Sequence, residues 1–319
     1  MGWCENLIGA AQVEEGELVL VVVDEPLAEE GSELAAAVAD AGGQPELHLW
    51  AGERPLAEPP PGASDAARRA DVGLALQQAP RGDEAFARST LMQTVTGHGG
   101  RMLFLGFVDG ELLRGDLSQP QPNLEPEARR LLDAVAGARE LRVTGTAGTD
   151  LTMQIEGRPW LSDAIPLGPG DYGNFPGGEI FVSPLEDGVE GALVADITVP
   201  YTVEGRVDEP VSLVFERGRV TSIEGGRAAE MLRDLVARSG DGADVIAELG
   251  IGLNPAVSPR GHVMLDEKAA GTAHVAIGNN TGYGGVNRAS IHVDCVFSGP
   301  EVAVDGRPLR IHPDARGLH

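Results

Sequence analysis

The chain contains little cysteine, and this shortage excludes one class of protein. Only Cys4 and Cys295 occur among 319 residues, and Cys295 lies in an apolar segment far along the chain from Cys4. Small secreted proteins that depend on disulfides carry many closely spaced cysteines, whereas disulfides are rare in reducing compartments. The sequence therefore predicts no disulfide framework and a cytoplasmic protein.

Positive charge is also scarce. Lysine and arginine together number 24, against 49 aspartate and glutamate residues, so the formal net charge is −25. A surface with this excess of negative charge repels phosphate groups. Nucleic acids and anionic membranes are therefore not expected as partners, whereas divalent cations are attracted.

Three further absences exclude other classes of protein. No apolar run approaches the roughly 18 residues that a transmembrane helix requires, so none is expected. No Gly-x-Gly-x-x-Gly stands between a predicted strand and a predicted helix, so a dinucleotide cofactor is not implied. No Gly-x-Ser-x-Gly occurs, so a serine hydrolase built on that motif is not indicated.

The first third of the chain alternates between strand and helix patterns. Residues 16–26 form a continuous apolar run that predicts a strand buried on both faces, and residues 29–43 have helical spacing that ends in glycine. Another strand is predicted over 44–50, and the alternation continues to residue 107. This pattern predicts an open α/β domain with a mostly parallel sheet.

The pattern changes after a polar, proline-rich segment at 114–128. Alternation of apolar and polar residues, which is typical of antiparallel sheets, then dominates. The elements predicted in this part are strands over 140–157, 191–203 and 210–225 and a helix over 226–241. We therefore predict two domains, an α/β domain over 1–120 and an α+β metal-binding domain over 121–319.

Histidine is rare, and two of the seven histidines lie in one C-terminal block with acidic residues. The strand-like segment 289–297 places His292 and Asp294 two positions apart, and residues i and i+2 of a strand point to the same face. Imidazole and carboxylate groups together bind zinc, manganese, cobalt and ferrous iron. An isolated His-x-Asp is more often ordinary packing, but His274 and the acidic Glu267 lie a short way upstream, which favours a metal site.

Two glutamates stand in similarly unusual positions. Glu248 lies in the apolar, glycine-rich segment 247–255, and Glu179 opens a strand-like segment after an Asn-Phe-Pro-Gly-Gly turn. A buried carboxylate is costly unless it is paired or metal-bound. Each glutamate alone is also compatible with an ordinary exposed acid, so neither identifies a site by itself.

Taken in chain order, four segments resemble the thermophilic metallo-aminopeptidases of the aminopeptidase T and S type. These segments are NFPGGEIFVSP, AELGIG, DEKAAGTAHVAIG and IHVD. The resemblance covers residues 140–310 and implies two zinc, cobalt or manganese ions per chain. The ligands that it implies are Glu179, Glu248, His274, His292 and Asp294.

The resemblance implies a hydrolase that removes N-terminal residues from small peptides, acting as a homodimer. Two metal ions can share a hydroxide nucleophile and polarise the scissile carbonyl group. Glu267 would carry the proton to the leaving amine, and Tyr283 would replace the family's tyrosine, whose aligned position holds Thr281. Independently of the resemblance, His98 is a candidate acid–base, and an ordinary helix-end histidine is the alternative.

Departures from the family pattern leave other interpretations open. The chain is shorter than the family's aminopeptidases, the spacing from His274 to His292 is compressed, and two residues are inserted between Glu267 and His274. Ring-opening dioxygenases of dihydroxypyridine catabolism resemble the same family and hold one ferrous ion, which here implies His274, His292 and Asp294 as its ligands. Retention of both glutamates favours the hydrolase. A third interpretation is a non-catalytic relative that binds metal or peptide.

Overall fold

The fold combines one parallel sheet with two antiparallel sheets in a computed structural model that describes residues 2–81, 84–164 and 166–311. The helices of these residues are α1 (Trp3–Ala11), α2 (Ala28–Asp40), α3 (Ala63–Ala67), α4 (Glu84–Thr96), α5 (Gly110–Arg114), α6 (Glu125–Val135), α7 (Arg227–Ser239) and α8 (Val263–Asp266). Short 3₁₀ helices cover Glu25–Leu27 and Asp116–Ser118. The strands are β1 (Leu18–Asp24), β2 (Gln44–Trp50), β3 (Val72–Leu76), β4 (Arg101–Leu105), β5 (Glu140–Thr144), β6 (Asp150–Gln154), β7 (Trp160–Ser162), β8 (Tyr172–Asn174), β9 (Glu179–Val182), β10 (Val189–Ala195), β11 (Val211–Glu216), β12 (Arg219–Glu224), β13 (Ile246–Gly252), β14 (Thr272–Gly278), β15 (His292–Ser298), β16 (Glu301–Val304) and β17 (Arg307–Leu309).

The parallel sheet has the strand order β2-β1-β3-β4-β8. Strand β1 is buried along all but its first residue, and a strand covered on both faces favours apolar side chains along most of its length. This preference explains its unbroken run of leucine and valine. Helix α2 follows β1 and buries Leu34 and Val38. The predicted mixed α/β fold with a parallel sheet is confirmed.

A seven-stranded antiparallel sheet has the order β12-β11-β10-β6-β5-β16-β17. The segments predicted as strands over 140–157 and 210–225 each fold back as a hairpin, β5–β6 and β11–β12. In the second hairpin, Arg217 and Gly218 have φ angles of 48° and 71°, as the tight turns of right-twisted hairpins require. The predicted antiparallel arrangement is therefore present in this part of the chain.

The third sheet has the order β15-β14-β13-β9-β7, and its pairings are antiparallel. Strands β13 and β14 are buried at every position. Opposite residues of paired strands share a face, as do residues two apart on one strand. The register pairs Gly250 with His274, Ala276 with Asp294, Gly278 with His292 and Gly252 with Glu179, and Glu248 lies two positions from Gly250. One face of the sheet thus carries acidic and histidine side chains among glycine and alanine.

Glycine at position 250 makes room for a functional side chain. A Cβ atom added at Gly250 would lie 2.6 Å from Nε2 and 2.8 Å from Nδ1 of His274. Real Cβ atoms do not approach other atoms so closely, so the imidazole ring occupies the space that a side chain at position 250 would need. Gly250, the first glycine of AELGIG, therefore provides the space in which the His274 ring lies.

By its internal contacts the chain divides into two compact units, one of residues 1–122 with 165–177 and one of 123–164 with 178–319. The segment 165–177, which the sequence-based division at 120/121 assigns to the second domain, belongs to the first unit because β8 pairs with β4. Independent folding of two domains stays a prediction. In the described part of the chain, no helix combines the length and the apolar composition that crossing a bilayer requires.

We expect Gly250→Ala to lower the midpoint of thermal unfolding, because overpacking a filled site costs about 1–3 kcal/mol. Gly9→Ala is the matched control: nothing lies within 4 Å of a Cβ added there, and alanine favours the α1 helix. Differential scanning calorimetry of both variants measures the effect. Equal midpoints for the two variants would contradict the close packing of His274 on Gly250.

A buried ion pair in the first unit makes stability depend on pH. Glu84 is 1% exposed and accepts hydrogen bonds from Nε of Arg54 at 2.8 Å and from the N–H groups of Leu56 at 2.9 Å and Arg81 at 2.8 Å. Burial alone raises the pKa of Glu84, but these hydrogen bonds outweigh burial and lower it from 4.5 to about 2. A carboxylate with a lowered pKa stabilises the fold above its unfolded-state pKa.

Glu84→Gln should lower the free energy of unfolding at pH 7 by about 3 kcal/mol, because it removes the closest charge partner of the largely buried Arg54. The loss should shrink as the pH falls toward 3, since the stabilisation disappears as the pH falls through the folded-state pKa of about 2. Urea unfolding at both pH values measures it. The control Glu125→Gln removes a more exposed pair with Arg129 and should cost less than about 1 kcal/mol. A loss that does not change with pH would contradict the assignment.

Candidate metal centre

Four strands of the third sheet bring all five predicted metal ligands together. Glu179 opens β9, Glu248 lies in β13, His274 lies in β14, and His292 and Asp294 lie in β15. Two groups of these residues have ligand atoms within 4.8 Å of one another: Glu179 with Glu248 and His274, and Glu248 with His292 and Asp294. The whole cluster belongs to the second unit.

The Nε2 atoms of both histidines face the same two carboxylate groups, those of Glu248 and Asp294. His292 Nε2 lies 3.1 Å from Asp294 Oδ1 and 3.3 Å from Glu248 Oε2. His274 Nε2 lies 3.5 Å from Glu248 Oε1 and 3.7 Å from the same Asp294 Oδ1. Two imidazole nitrogens and two carboxylates therefore converge on one small volume.

The other nitrogen of each imidazole ring faces outward from this volume. His292 Nδ1 lies 2.8 Å from the backbone oxygen of Asn279, and His274 Nδ1 lies 3.6 Å from Glu179 Oε2. Metal-binding histidines commonly direct their second nitrogen to a carbonyl or carboxylate, which fixes the ring and leaves the first nitrogen for the metal. His292 makes this contact as a hydrogen bond, whereas His274 Nδ1 faces the Glu179 carboxylate from beyond hydrogen-bonding distance.

The residues present fit a divalent metal ion. Among the described residues, the buried Oε2 atom of Glu179 and the buried Nδ1 atom of His274 have no hydrogen-bond partner and face each other at 3.6 Å beside this volume, although buried polar atoms normally have a partner. Imidazole and carboxylate groups are the donor set of zinc, manganese, cobalt and ferrous iron. The cluster therefore has the chemistry of a metal centre.

The pKa shifts of the cluster residues result from an excess of buried negative charge. Burial lowers the pKa of both histidines, but the surrounding carboxylates outweigh burial, raising the pKa of His274 to about 10 and that of His292 well above its usual value. Burial raises the pKa of Asp294, but His292 and His274 outweigh it and hold the pKa below its usual range. Burial keeps the pKa of Glu179 well above its usual value. This environment attracts cations.

Lys268 is a participant that the sequence-based prediction missed. It is the only lysine of the chain, and it is 0% exposed. Its Nζ atom forms ion pairs with Glu179, with Asp163 Oδ2 at 2.9 Å and with Glu267 Oε1 at 3.1 Å. Burial lowers the pKa of Lys268, but the three carboxylates outweigh burial and raise it well above its usual value, so Lys268 is an ammonium ion. Its uniqueness in the composition is a signal that points to this residue.

Asp163 is a second missed participant, directly after β7. Its Oδ1 atom accepts hydrogen bonds from the N–H groups of Gly178 at 2.8 Å and Glu179 at 3.0 Å, and its Oδ2 atom faces Lys268. Asp163 thus fixes the start of β9, where Glu179 lies. No local pattern in the sequence distinguishes Asp163 from other acidic residues, because its role depends on the pairing of β7 with β9.

The three predicted catalytic residues lie in different surroundings. Glu267 is buried beside Lys268, and the Tyr283 ring lies 5.2 Å from the His292 ring, at the margin of the centre. His98 belongs to the first unit, and its ring nitrogens lie 2.8 Å and 3.0 Å from the backbone oxygens of Thr94 and Ala70. These contacts are those of a helix-end histidine, and the acid–base role of His98 stays a prediction.

Three characterised proteins resemble the chain in sequence. A 2,5-dihydroxypyridine 5,6-dioxygenase of Pseudomonas putida is 30% identical over 207 residues, which are 60% of this chain and 59% of the relative. Aminopeptidase AmpS of Bacillus subtilis is 27% identical, and aminopeptidase T of Thermus aquaticus is 29% identical, each over 50% of this chain and 43% of the relative. The matched part is thus less than two thirds of the length of each relative.

Two solved structures share the fold. The 2,5-dihydroxypyridine dioxygenase of Pseudomonas putida KT2440 superposes with a TM-score of 0.76 at 22% identity, covering 99% of this chain and 96% of that one. AmpT of Thermus thermophilus superposes with a TM-score of 0.67 at 20% identity, covering 97% and 98%. The predicted resemblance to a family that includes aminopeptidases T and S together with dihydroxypyridine dioxygenases is confirmed. Because the model of the 2,5-dihydroxypyridine 5,6-dioxygenase family, NicX, matches residues 3–312, the chain belongs to that family.

Proposed function

We propose that the protein is a dioxygenase that uses one ferrous ion to open a hydroxylated aromatic ring of the dihydroxypyridine class. The observation that carries the proposal is the convergence of His274 Nε2, His292 Nε2 and Asp294 Oδ1, with distances of 3.7 Å and 3.1 Å from the nitrogens to this oxygen. Two histidines and one carboxylate on one side of a metal are the donor set of ferrous oxygenases. The match to the dioxygenase family over residues 3–312 supports the same choice.

A dinuclear aminopeptidase, the main sequence-based interpretation, is the second candidate. It is favoured by the retention of Glu179 and Glu248 in the cluster and by the likeness to aminopeptidases AmpS and T. The orientation of Glu179 weighs against it, because Glu179 Oε2 faces Nδ1 of His274 and not the nitrogen directed at Glu248 and Asp294. A carboxylate in that position orients an imidazole ring and raises its basicity.

In the proposed reaction, ferrous iron would supply the activation of molecular oxygen. His274, His292 and Asp294 would hold the ion, and Glu248 would contribute a further negative charge beside it. Glu248 is 4% exposed, and burial raises its pKa, but the hydrogen bonds of His274 and His292 outweigh burial and lower it, so the group is ionised. A buried site of this kind excludes water from reactive species.

The substrate would enter at the more exposed edge of the centre. The side chains of His292 and Asp294 are 22% and 17% exposed, whereas that of His274 is 2% exposed. Tyr283 lies at this edge, and its ring meets the Phe181 ring edge-on at 5.7 Å. Aromatic rings pair favourably in edge-on and offset arrangements, so we assign Tyr283 to contact with the planar substrate ring.

Purified protein loaded anaerobically with ferrous iron should consume oxygen when 2,5-dihydroxypyridine is added, and the ring absorbance should disappear. Protein loaded with zinc is the control and should do neither, because zinc has no redox chemistry. An oxygen electrode and a spectrophotometer measure both effects. Release of amino acids from dipeptides by the zinc, cobalt or manganese form, without oxygen uptake by the iron form, would replace this proposal with the aminopeptidase.

Asp294→Asn should lower the affinity for ferrous iron by more than about tenfold, because it removes an ionised ligand. Glu301→Gln is the matched control. Glu301 lies on β16, which follows β15 in the chain, and its exposed carboxylate is outside the cluster, so this variant should retain iron. Iron content after anaerobic loading and desalting measures binding, and circular dichroism checks that both variants are folded. Wild-type iron content in folded Asp294→Asn would reject Asp294 as a ligand.

A further inference from the structure

We propose that the Lys268 ammonium group serves as a built-in second cation, which occupies the carboxylates beside the metal centre and limits the protein to one divalent ion. The inference rests on the metal centre proposed above and adds a role for a residue outside its ligand set. It does not depend on whether the reaction is an oxygenation or a hydrolysis.

The contacts of Lys268 are those of a cation held by several anions. Its Nζ atom is paired with Glu179, Asp163 and Glu267, and its side chain is 1% exposed. The ammonium group donates a hydrogen bond to Glu179 Oε1 and is ion-paired with Asp163 and Glu267, so three carboxylates surround one positive charge. Taking this charge out of water is costly, and close contact with several carboxylates offsets that cost.

Lys268 and the metal centre share one residue, Glu179. One oxygen of Glu179 is paired with Lys268, and the other faces Nδ1 of His274 at 3.6 Å. A second divalent ion bound by Glu179 would therefore lie beside the ammonium group, where like charges repel in a region of low dielectric constant. Lys268 thus opposes a second ion and also orients Glu179 toward His274.

The charge balance of the cluster leads to the same conclusion. Five carboxylates lie in or beside it: Glu179, Glu248, Asp294, Glu267 and Asp163. One divalent ion and one ammonium supply three positive charges, and removal of the ammonium leaves three adjacent carboxylates without a cation. Such a set of oxygens is a ligand set for a second divalent ion.

Backbone hydrogen bonds hold Lys268 in place. Its N–H donates to the Leu265 oxygen at 3.2 Å, and its carbonyl oxygen accepts from the Asn254 N–H at 2.8 Å. The chain enters this position directly from α8. The ammonium is therefore part of the folded scaffold, as a structural cation must be.

Metal stoichiometry tests the proposal. Wild-type protein, Lys268→Ala and Lys268→Arg are each saturated with zinc, desalted and measured by inductively coupled plasma mass spectrometry. We expect one ion per chain in the wild type, two in Lys268→Ala and one in Lys268→Arg, which keeps the positive charge. Manganese loading gives a second readout, since only a chain with two ions shows the paramagnetic resonance spectrum of a coupled manganese pair.

Two results would overturn the inference: two tightly bound ions in the wild type, or a single ion in folded Lys268→Ala. No bound ion in the wild type would overturn the proposed metal centre and this inference with it. Hydrolase activity in a protein that binds one ion would remove the proposed reaction and leave the inference intact.

If Lys268→Ala does not fold, a measurement on the wild-type protein tests the role of Lys268. Because the chain has one lysine, protein made with ¹⁵N-labelled lysine gives a single side-chain ammonium signal in nuclear magnetic resonance spectra. The signal should persist when the protein is saturated with excess zinc, with one ion bound. Its loss on binding of a second ion would show that a metal displaces the ammonium, which contradicts the proposal.

Discussion

On the buried face of the third sheet, the choice and arrangement of side chains depend on the cost of burying negative charge. Glu179, Glu248 and Glu267 are 3%, 4% and 6% exposed, and isolated carboxylates at such depth would protonate or unfold the chain. These negative charges are compensated by an ammonium group, by two histidines that accept protons readily, and by a cluster of donors suited to a metal ion. The position of each of these groups follows from the need to compensate the same charges.

Small residues make this concentration of charge geometrically possible. On one face, β13 and β14 each carry one ligand position, Glu248 and His274, followed by two small residues: Gly250 and Gly252 on β13, and Ala276 and Gly278 on β14. A face made only of long side chains would separate the functional groups, because each side chain on a strand needs its own area. The same glycines look like turn or flexibility signals in the sequence, but in these strands they provide space for their neighbours.

Local patterns were enough to predict part of this arrangement. The two-residue spacing of His292 and Asp294 defines a shared face for any strand, and the apolar run in β1 identifies a doubly covered strand wherever it packs. The ordered resemblance of four segments added Glu179, Glu248 and His274. Each of these inferences depends on residues close in sequence or on a known order of motifs.

The rest of the fold and of the site depends on pairing between distant strands, which no local sequence pattern contains. Asp163 meets Lys268 only because β7 pairs with β9, and β8 is three residues long, too short for a periodic signal, so its addition to the parallel sheet was not predicted. Lys268 stands out in the composition as the one lysine, but no local pattern predicts its partners. Its burial follows from the packing of the acids around it and not from its own properties.

The burial of the only lysine also affects how the folded protein reacts with other molecules. Acetylation, ubiquitin attachment and amine-directed cross-linking all require a deprotonated, accessible ε-amino group, and Lys268 is charged and 0% exposed. Proteases that cleave after lysine meet the same barrier. The native chain therefore offers these reagents no lysine side chain, and any reaction at Lys268 marks a molecule in which the centre has opened.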